Sequence, residues 1–296
     1  MAFAAGFAPT ANAEEGAAEV PWKSLTFRAS KWFNSVNTHI ELSNEDTARA
    51  LATAVESSQG QPLEATVAEL RRIKIHSIID PAIGTTVELE KEFWFDPYRN
   101  DVLFGESRRI GQDEYLRRFR FTHQGVFRLR REPISTREAS LSPENWSGEK
   151  ASFYAYAPGE WNCRQILEPS VLIYLINKVN LNSSKKTPAF CVFHKRQLYR
   201  VSLHDGGTRP IDVDYQIFYG QKASNVRKQI WAVRILLKAV PLGDYNGEVE
   251  DFSFLGFKQD VELLFDPSVR LPVMISGQVP SLGHSVLKLR AARLTR

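Results

Sequence analysis

The chain has 296 residues, of which 43% are hydrophobic and 24% are charged. This balance is that of a globular protein with a substantial core, and it excludes disordered and fibrous classes. The 38 lysines and arginines exceed the 34 aspartates and glutamates by 4. This excess is too small to indicate a nucleic-acid partner, and we expect none.

Residues 1–13 resemble the second half of a secretory signal, because a short apolar run ends in small residues at Ala11 and Ala13. No basic residue precedes the run, as expected if the start codon is assigned too far downstream; the alternative is an alanine-rich tail. We expect export to the periplasm, with a flexible segment at 14–21 and one large β-rich domain at 22–296. No run there approaches the about 18 apolar residues of a membrane-spanning helix. We therefore expect a soluble mature chain without a transmembrane segment.

Alternating apolar residues predict antiparallel strands through the first half of the chain. These strands lie at 22–28, 36–42, 68–76, 87–95, 102–110, 114–122 and 125–131. Apolar residues recur at helical spacing over 48–55, which predicts a helix that begins at Ser43 or Asn44. The segment 122–125 predicts a tight hairpin in which Gly125 supplies a positive φ.

The second half contains one apolar stretch and a further series of strands. The stretch from Glu168 to Val179 begins with Pro169, which suits the first turn of a helix, although its β-branched residues leave a strand as the alternative. The strands lie at 188–194, 197–204, 209–219, 226–240, 258–266, 271–279 and 284–294. Asp205 and the two glycines after it are predicted to form a turn between two of these strands.

One short phrase occurs twice, as Phe95-Asp96-Pro97 and as Phe265-Asp266-Pro267. Asp accepts hydrogen bonds from the backbone that follows it and Pro presets φ for a turn, so each phrase predicts a hairpin corner. The chain then reads as two meander halves, 22–134 and 150–296. We predict a mainly β fold with a few helices: a strongly curved antiparallel meander or half-barrel, with helices packed on its concave side.

Four stretches together resemble an uncharacterised bacterial family of exported β-rich proteins. They are residues 93–97, 119–133, 190–196 and 265–272. The last stretch, with the pattern Phe-Asp-Pro-x-x-x-Leu-Pro, is also similar to the corners of periplasmic lipoprotein carriers, whose half-barrel is plugged by helices and holds acyl chains. The resemblance implies an envelope location and a concave apolar surface, and it assigns no catalytic residue.

The two cysteines, Cys163 and Cys191, exclude a disulfide-dense framework and a four-cysteine zinc site. In an oxidising compartment they can pair; the alternative is two unrelated thiols. The histidines follow no metal-binding spacing and the chain has no nucleophile elbow or phosphate-binding glycine loop, so we expect neither a metal nor a cofactor. The acids Glu248, Glu250 and Asp251 are expected to form a solvated turn.

Arginines and aromatic residues alternate around the hairpin at 122–125. The alternation predicts a shared anion-binding face of arginines, namely Arg118, Arg120, Arg128 and Arg130. The alternative is a cross-strand ladder with Glu88, Glu90 and Glu92. Aromatic residues are expected to line the concave face as an apolar ligand site, with burial in the core as the alternative. These residues are Phe93, Phe95, Phe119, Phe121, Phe127 and Trp231.

Three functions remain open at this point. The first is a periplasmic, non-catalytic binding or scaffold protein that holds a lipid or another apolar small molecule. The second is an envelope hydrolase acting on polysaccharide or lipid, whose site is assembled only by the fold. The third is a protein-interaction module that pairs an envelope protein with an open sheet edge. The missing catalytic motifs favour the first hypothesis and leave enzymatic activity undecided.

Overall fold

The computed structural model describes residues 20–31, 34–81, 83–156, 163, 165–178, 187–243, 251–280 and 283–295. The fold is mainly β, with 64% strand and 9% helix, which confirms the predicted class. Within these ranges, no helix combines the length and apolarity that crossing a membrane requires. The predicted signal segment lies outside the described residues.

In the described ranges, fifteen strands form one sheet. Those of the first half are β1 Trp22–Lys31, β2 Asn34–Asp46, β3 Glu69–Asp80, β4 Val87–Phe95, β5 Val102–Ile110, β6 Tyr115–Phe121, β7 Gly125–Glu132 and β8 Gly148–Ala155. Those of the second half are β9 Ile166–Leu167, β10 Ala189–His194, β11 Gln197–Tyr219, β12 Lys222–Leu242, β13 Gln259–Asp266, β14 Leu271–Val279 and β15 Gly283–Leu294. The helices are α1 Thr47–Leu51, α2 Thr136–Ala139 and α3 Leu172–Lys178, with 3₁₀ turns at Pro143–Asn145 and Pro169–Val171.

The two meanders join through their outermost strands, because β1 pairs antiparallel with both β2 and β15. Strand β8 belongs to the first meander, since it pairs with β7, although most of its residues lie in the range 150–296 that the sequence assigned to the second half. In the second half, residues 216–218 of β11 pair parallel with residues 291–293 of β15. This pairing closes strands β11 to β15 into a ring.

The sheet curves around α3 and the 3₁₀ turn before it. The turn Pro169–Val171 contacts β3, β4 and β10, although β4 and β10 are far apart in the strand order. Residues 172–177 of α3 are buried, and the Tyr174 ring lies 4.9 Å from the ring of Phe95. The helix predicted here is therefore confirmed and the strand alternative is wrong. We call the side of the sheet that faces α3 the inner face and the opposite side the outer face.

Both Phe-Asp-Pro corners are confirmed as hairpins, between β4 and β5 and between β13 and β14. The buried carboxylate of Asp96 accepts hydrogen bonds from the backbone N–H groups of Thr66, Tyr98 and Arg99. Asp266 accepts a bond from the N–H of Ser268, 2.9 Å away, and from the Tyr215 hydroxyl, 3.2 Å away. Each aspartate thus satisfies backbone donors that the turn would otherwise leave unpaired.

Two predicted elements near turns differ in the structure. The helix predicted from Ser43 is short, because residues 43–46 continue β2 and pair with β3; Asp46 caps α1 by accepting a bond from the N–H of Arg49. Asp205 does not begin a turn but lies at a bulge inside the long strand β11, where the register with β12 shifts. In both places strand pairing overrides a local preference.

The hairpin at 122–125 forms as predicted, but Gly125 does not have a positive φ. Its N–H donates to the Thr122 hydroxyl at 3.0 Å. Glycine is needed because a Cβ here would contact the carbonyl oxygen of Tyr154 on the neighbouring strand β8. Close approach of the backbones, rather than backbone conformation, therefore explains this residue.

Candidate functional site

The register of β4 to β7 decides which side chains share a face. Residues directly opposite each other in paired strands point to the same side of the sheet. Phe93 lies opposite Gly105, and Gly105 lies opposite Phe119. Phe119 in turn lies opposite Arg128. The rings of Phe93 and Phe119 are 5.9 Å apart, and Phe93 lies on the same face of β4 as Phe95, whose ring contacts Tyr174 of α3. This row, including Arg128, therefore lies on the inner face.

The prediction that four arginines share one face is wrong. Arg118 lies opposite Leu129 and Arg120 lies opposite Phe127, whereas Arg128 lies opposite Phe119. Arg118 and Arg120 therefore lie on the outer face, and Arg128 and Arg130 lie on the inner face. The reason is the hairpin register: the numbers of paired residues sum to an odd value, so even positions in β6 share a face with odd positions in β7.

The outer face carries the cross-strand ladder that was the alternative interpretation. Glu90 pairs with Lys74 and, at 2.7 Å, with Arg108, and Glu92 pairs with Arg72 at 3.2 Å. Burial raises the pKa of Glu90, but the cations of Lys74 and Arg108 hold it below its ordinary value. Arg118 joins the ladder through Glu106 at 3.4 Å. These four outer cations are thus neutralised by the chain itself, whereas Arg120 on the same face lies over the Phe104 ring and has no salt bridge in the described chain.

The inner face carries a second group of cations. Lys91 and Arg117 both flank Ser107 in one row, and Arg117 lies directly opposite Arg130. With Arg128 from the adjacent row they form what we call the inner cationic cluster: Lys91, Arg117, Arg128 and Arg130. Glu168 pairs with Lys91 at 2.9 Å and Glu132 pairs with Arg130 at 2.5 Å. The guanidinium of Arg117 stacks 3.8 Å from the centre of the Tyr115 ring.

Arg128 is the unusual member of the cluster. It is only 7% exposed, and in the described part of the chain its Nε atom has no hydrogen-bond partner and its guanidinium has no salt bridge. Its guanidinium lies over the Tyr154 ring, 4.9 Å from the ring centre. Burial lowers the pKa of Arg128, and the positive charges of Arg117 and Arg196 lower it further. A buried charge without a counter-charge is costly unless a bound anion supplies one.

The end of β10 brings a neutral histidine beside this cluster. Burial lowers the pKa of His194 to about 3, and the nearby charges of Lys91, Lys195 and Arg117 add to the effect. The imidazole packs edge-on against Phe252, with ring centres 5.5 Å apart. The charges of Lys91, Lys195 and Arg117 make the local potential positive, so this region favours an anion over a cation.

The predicted aromatic ligand residues do not form one open surface. Phe93, Phe95 and Phe121 are buried on the inner face under α3 and β10, and Phe119 is partly buried beside them. Phe127 lies on the outer face opposite Arg120. Trp231 is 66% exposed because it alternates with Ile230, which takes the buried side of β12.

Two grooves have mixed linings that include no member of the inner cationic cluster. One of about 800 Å³ runs along β1, β2 and β15 and is lined by Lys23, Glu41 and Phe218, among others. A second, of about 690 Å³, lies between β12 and β13 beside Glu262 and His284. Charged and apolar groups alternate in both linings, which does not match the continuous apolar wall that an acyl chain needs.

The remaining predicted groups are placed as follows. Cys163 and Cys191 form a disulfide that ties β10 to the segment before β9. Among the residues that the structure describes, no three of the types His, Cys, Asp and Glu come together as a metal site. Glu248 and Glu250 lie outside the described residues, and Asp251 pairs with Lys258 at 3.3 Å.

Comparison of the chain with family models, with curated proteins and with solved structures finds no match. The site is therefore assigned from its geometry. Sequence reasoning missed Lys91, Arg117 and His194, because no local motif connects them. The hairpin register, worked out from the segment 122–125, would have placed Arg117 beside Arg130.

Proposed function

We propose that this protein is a non-catalytic binding protein that accepts an oxyanion, a phosphate or a carboxylate, at the inner cationic cluster. The observation that carries the proposal is Arg128: it is 7% exposed and no carboxylate of the described chain pairs with it. A guanidinium presents planar paired donors that match phosphate and carboxylate oxygens. A bound oxyanion would supply the missing counter-charge.

The contrast between the two faces supports the proposal. On the outer face of the same strands, Arg118 has Glu106 and Arg131 has Glu149 at 2.8 Å. Arg120 has no salt bridge in the described chain, but unlike Arg128 it is not fully buried. A sequence that places carboxylates opposite its outer arginines could equally do so on the inner face. Leaving Arg128 unpaired beside Arg117 is then best explained by a ligand that carries the negative charge.

The neighbouring groups favour binding over catalysis. His194 has a pKa of about 3, lowered by burial and nearby cations, so it is neutral at pH 7 and is poorly suited to exchange protons there. Its ring packs between Tyr199 and Phe252. The hydrolase hypothesis therefore has no specific observation in its favour.

The anion, rather than an acyl chain, is the proposed point of contact. The apolar inner residues Phe93, Phe95 and Phe121 are already covered by α3 and β10. A free phosphate and a phosphate carried by a lipid headgroup share the chemistry that the cluster recognises. The disulfide between Cys163 and Cys191 supports a periplasmic location, since such bonds persist in oxidising compartments.

Calorimetric titration with inorganic phosphate, at constant ionic strength, tests the proposal. We expect saturable binding that is lost in Arg128→Met and kept in Arg131→Met, because Arg131 lies on the outer face of the same strand and pairs with Glu149. A parallel titration with phosphatidate vesicles distinguishes a lipid headgroup from the free ion. Equal binding by both variants, or none by the wild type to either probe, would overturn the proposal.

A further inference from the structure

The long strand β12 has an outer edge that its neighbour leaves open. β12 extends over Lys222–Leu242, but β13 pairs with it only over residues 233–236. Along residues 222–232, β12 pairs with β11 on one side, and no described strand pairs with the other side. An unpaired edge presents backbone donors and acceptors that another extended segment can use.

The hairpin turn determines which backbone groups face outward. Gly220 has a φ of 60° and opens a two-residue loop, as in a type II′ turn, so Tyr219 and Lys222 bond to each other. Alternation then turns the N–H and C=O groups of odd-numbered residues outward. These residues are Ala223, Asn225, Arg227, Gln229 and Trp231. The same alternation turns the backbone N–H and C=O groups of Gln216 and Phe218 of β11 away from β12 and towards β15, and these two residues pair with β15.

The outward positions are accessible. All five residues with outward backbone groups are exposed, and Trp231 is 66% exposed. From 223 to 231 the edge is about 26 Å long at about 3.3 Å per residue, which is enough for a strand of ordinary length. The edge contains no proline that would interrupt a new ladder.

The charge of the β12 edge indicates which kind of segment it can bind. Residues 222–232 contain Lys222, Arg227 and Lys228 and no aspartate or glutamate. Cations along an edge oppose pairing with a second copy of the same edge, since like charges directly opposite are destabilising. An extended segment with carboxylates is complementary instead.

We propose that the β12 edge binds an extended acidic segment of another protein by strand addition. Arg227 and Trp231 lie on the same face of β12, four residues apart. The partner strand would therefore carry a carboxylate and an apolar residue four positions apart, one opposite each. This inference is independent of the anion-binding proposal, since it uses different strands and a backbone ladder.

The probe is the blocked peptide acetyl-Thr-Ile-Thr-Glu-Thr-Glu-Thr-amide, in which the isoleucine precedes a glutamate by four positions. This order places them opposite Trp231 and Arg227 in an antiparallel pair, the orientation in which β12 pairs with β11 and β13. Its counterpart with lysine in place of glutamate is the charge control. We expect the acidic peptide to bind, to perturb the amide resonances of 223–231, and to slow hydrogen exchange at the outward amides. Amide changes at another strand instead would overturn the proposal.

Two variants separate charge from backbone pairing. Arg227→Glu is expected to weaken binding of the acidic peptide at least about tenfold and to strengthen binding of the lysine peptide. Gln229→Pro removes an outward N–H without removing a bond to β11 and is expected to abolish binding, whereas Gln229→Ala keeps it. Thermal melts establish that each variant is folded. Equal binding of both peptides, unaltered binding by folded Gln229→Pro, or self-association through β12 would each refute the acidic partner.

Discussion

Replacing Arg128 with methionine tests whether its buried charge is unpaired in the free protein. Methionine keeps an unbranched chain in the same place and removes the charge. A buried charge that lacks a partner destabilises a fold by about 3–5 kcal/mol, whereas the stacking of a cation on Tyr154 returns about 1–2 kcal/mol. We therefore expect the Arg128→Met variant to be about 2 kcal/mol more stable than the wild type in phosphate-free buffer.

Thermal melts followed by circular dichroism measure this effect. At about 2–4 °C per kcal/mol for a large domain, the Tm of the variant should rise by about 4–8 °C. Phosphate at about 100 times its Kd should stabilise the wild type by about 2.7 kcal/mol and leave the variant unchanged. When phosphate is added, the difference between the two Tm values should therefore shrink, or the wild type should become the more stable protein.

The opposite result would refute the reasoning. If Arg128→Met lowers stability by about 3 kcal/mol or more without phosphate, Arg128 has a counter-charge within the chain and its role is structural. The control is Arg131→Met, which removes an arginine that pairs with Glu149 on the outer face. Its Tm should change little and should still respond to phosphate.

Three further predictions concern the scaffold. Burial raises the pKa of Asp96, but hydrogen bonds from Thr66, Arg99 and Tyr98 outweigh it and lower this pKa below its ordinary value. The ionised Asp96 therefore stabilises the folded protein above about pH 4, and this contribution is lost as the pH falls through the pKa of the folded state. Asp96→Asn should cost about 2–3 kcal/mol at pH 7 and flatten the acid limb of a pH series of urea melts; an unchanged limb would contradict this. Reducing the disulfide, which spans 28 residues, should cost about 3–4 kcal/mol, and a reductant should not affect the Tm of a variant with both cysteines replaced by alanine. Because burial lowers the pKa of His194 to about 3, stability should fall as the pH drops from about 6.5 through 3; His194→Phe should reduce that fall, and an imidazole NMR titration near pH 6 would disprove the premise.

The strands could be predicted because alternation is a local signal. β4, β5 and β14 have the predicted bounds, and both Phe-Asp-Pro corners are hairpins. Each corner ends its strand through local chemistry, because the aspartate accepts hydrogen bonds from the backbone of the turn and the proline presets φ. The helix from Ser43 could not be predicted correctly, because pairing of residues 43–46 with β3 is a long-range contact. The sequence around Asp205 predicts a turn for the same reason. The strand β11 continues through this position as a bulge because it pairs with β12, a contact that the local sequence does not encode.

The candidate site could be predicted only in part. Arg128 and Arg130 were identified, but their face depends on a register that a change of one residue reverses. Alternation alone places Arg118 and Arg120 in the same patch, but the register of the β6–β7 hairpin puts them on the outer face. His194 reaches the cluster from β10, a strand of the other meander, through the curvature around α3. No spacing in the sequence encodes that approach.

A crystal structure grown with selenate, a tetrahedral oxyanion whose selenium gives an anomalous signal, tests the central claim most directly. We expect an anomalous peak on the inner face, with selenate oxygens within hydrogen-bond distance of the Arg128 guanidinium and near Arg117. A carboxylate of the chain itself paired with Arg128, with selenate absent from the inner face, would contradict the account.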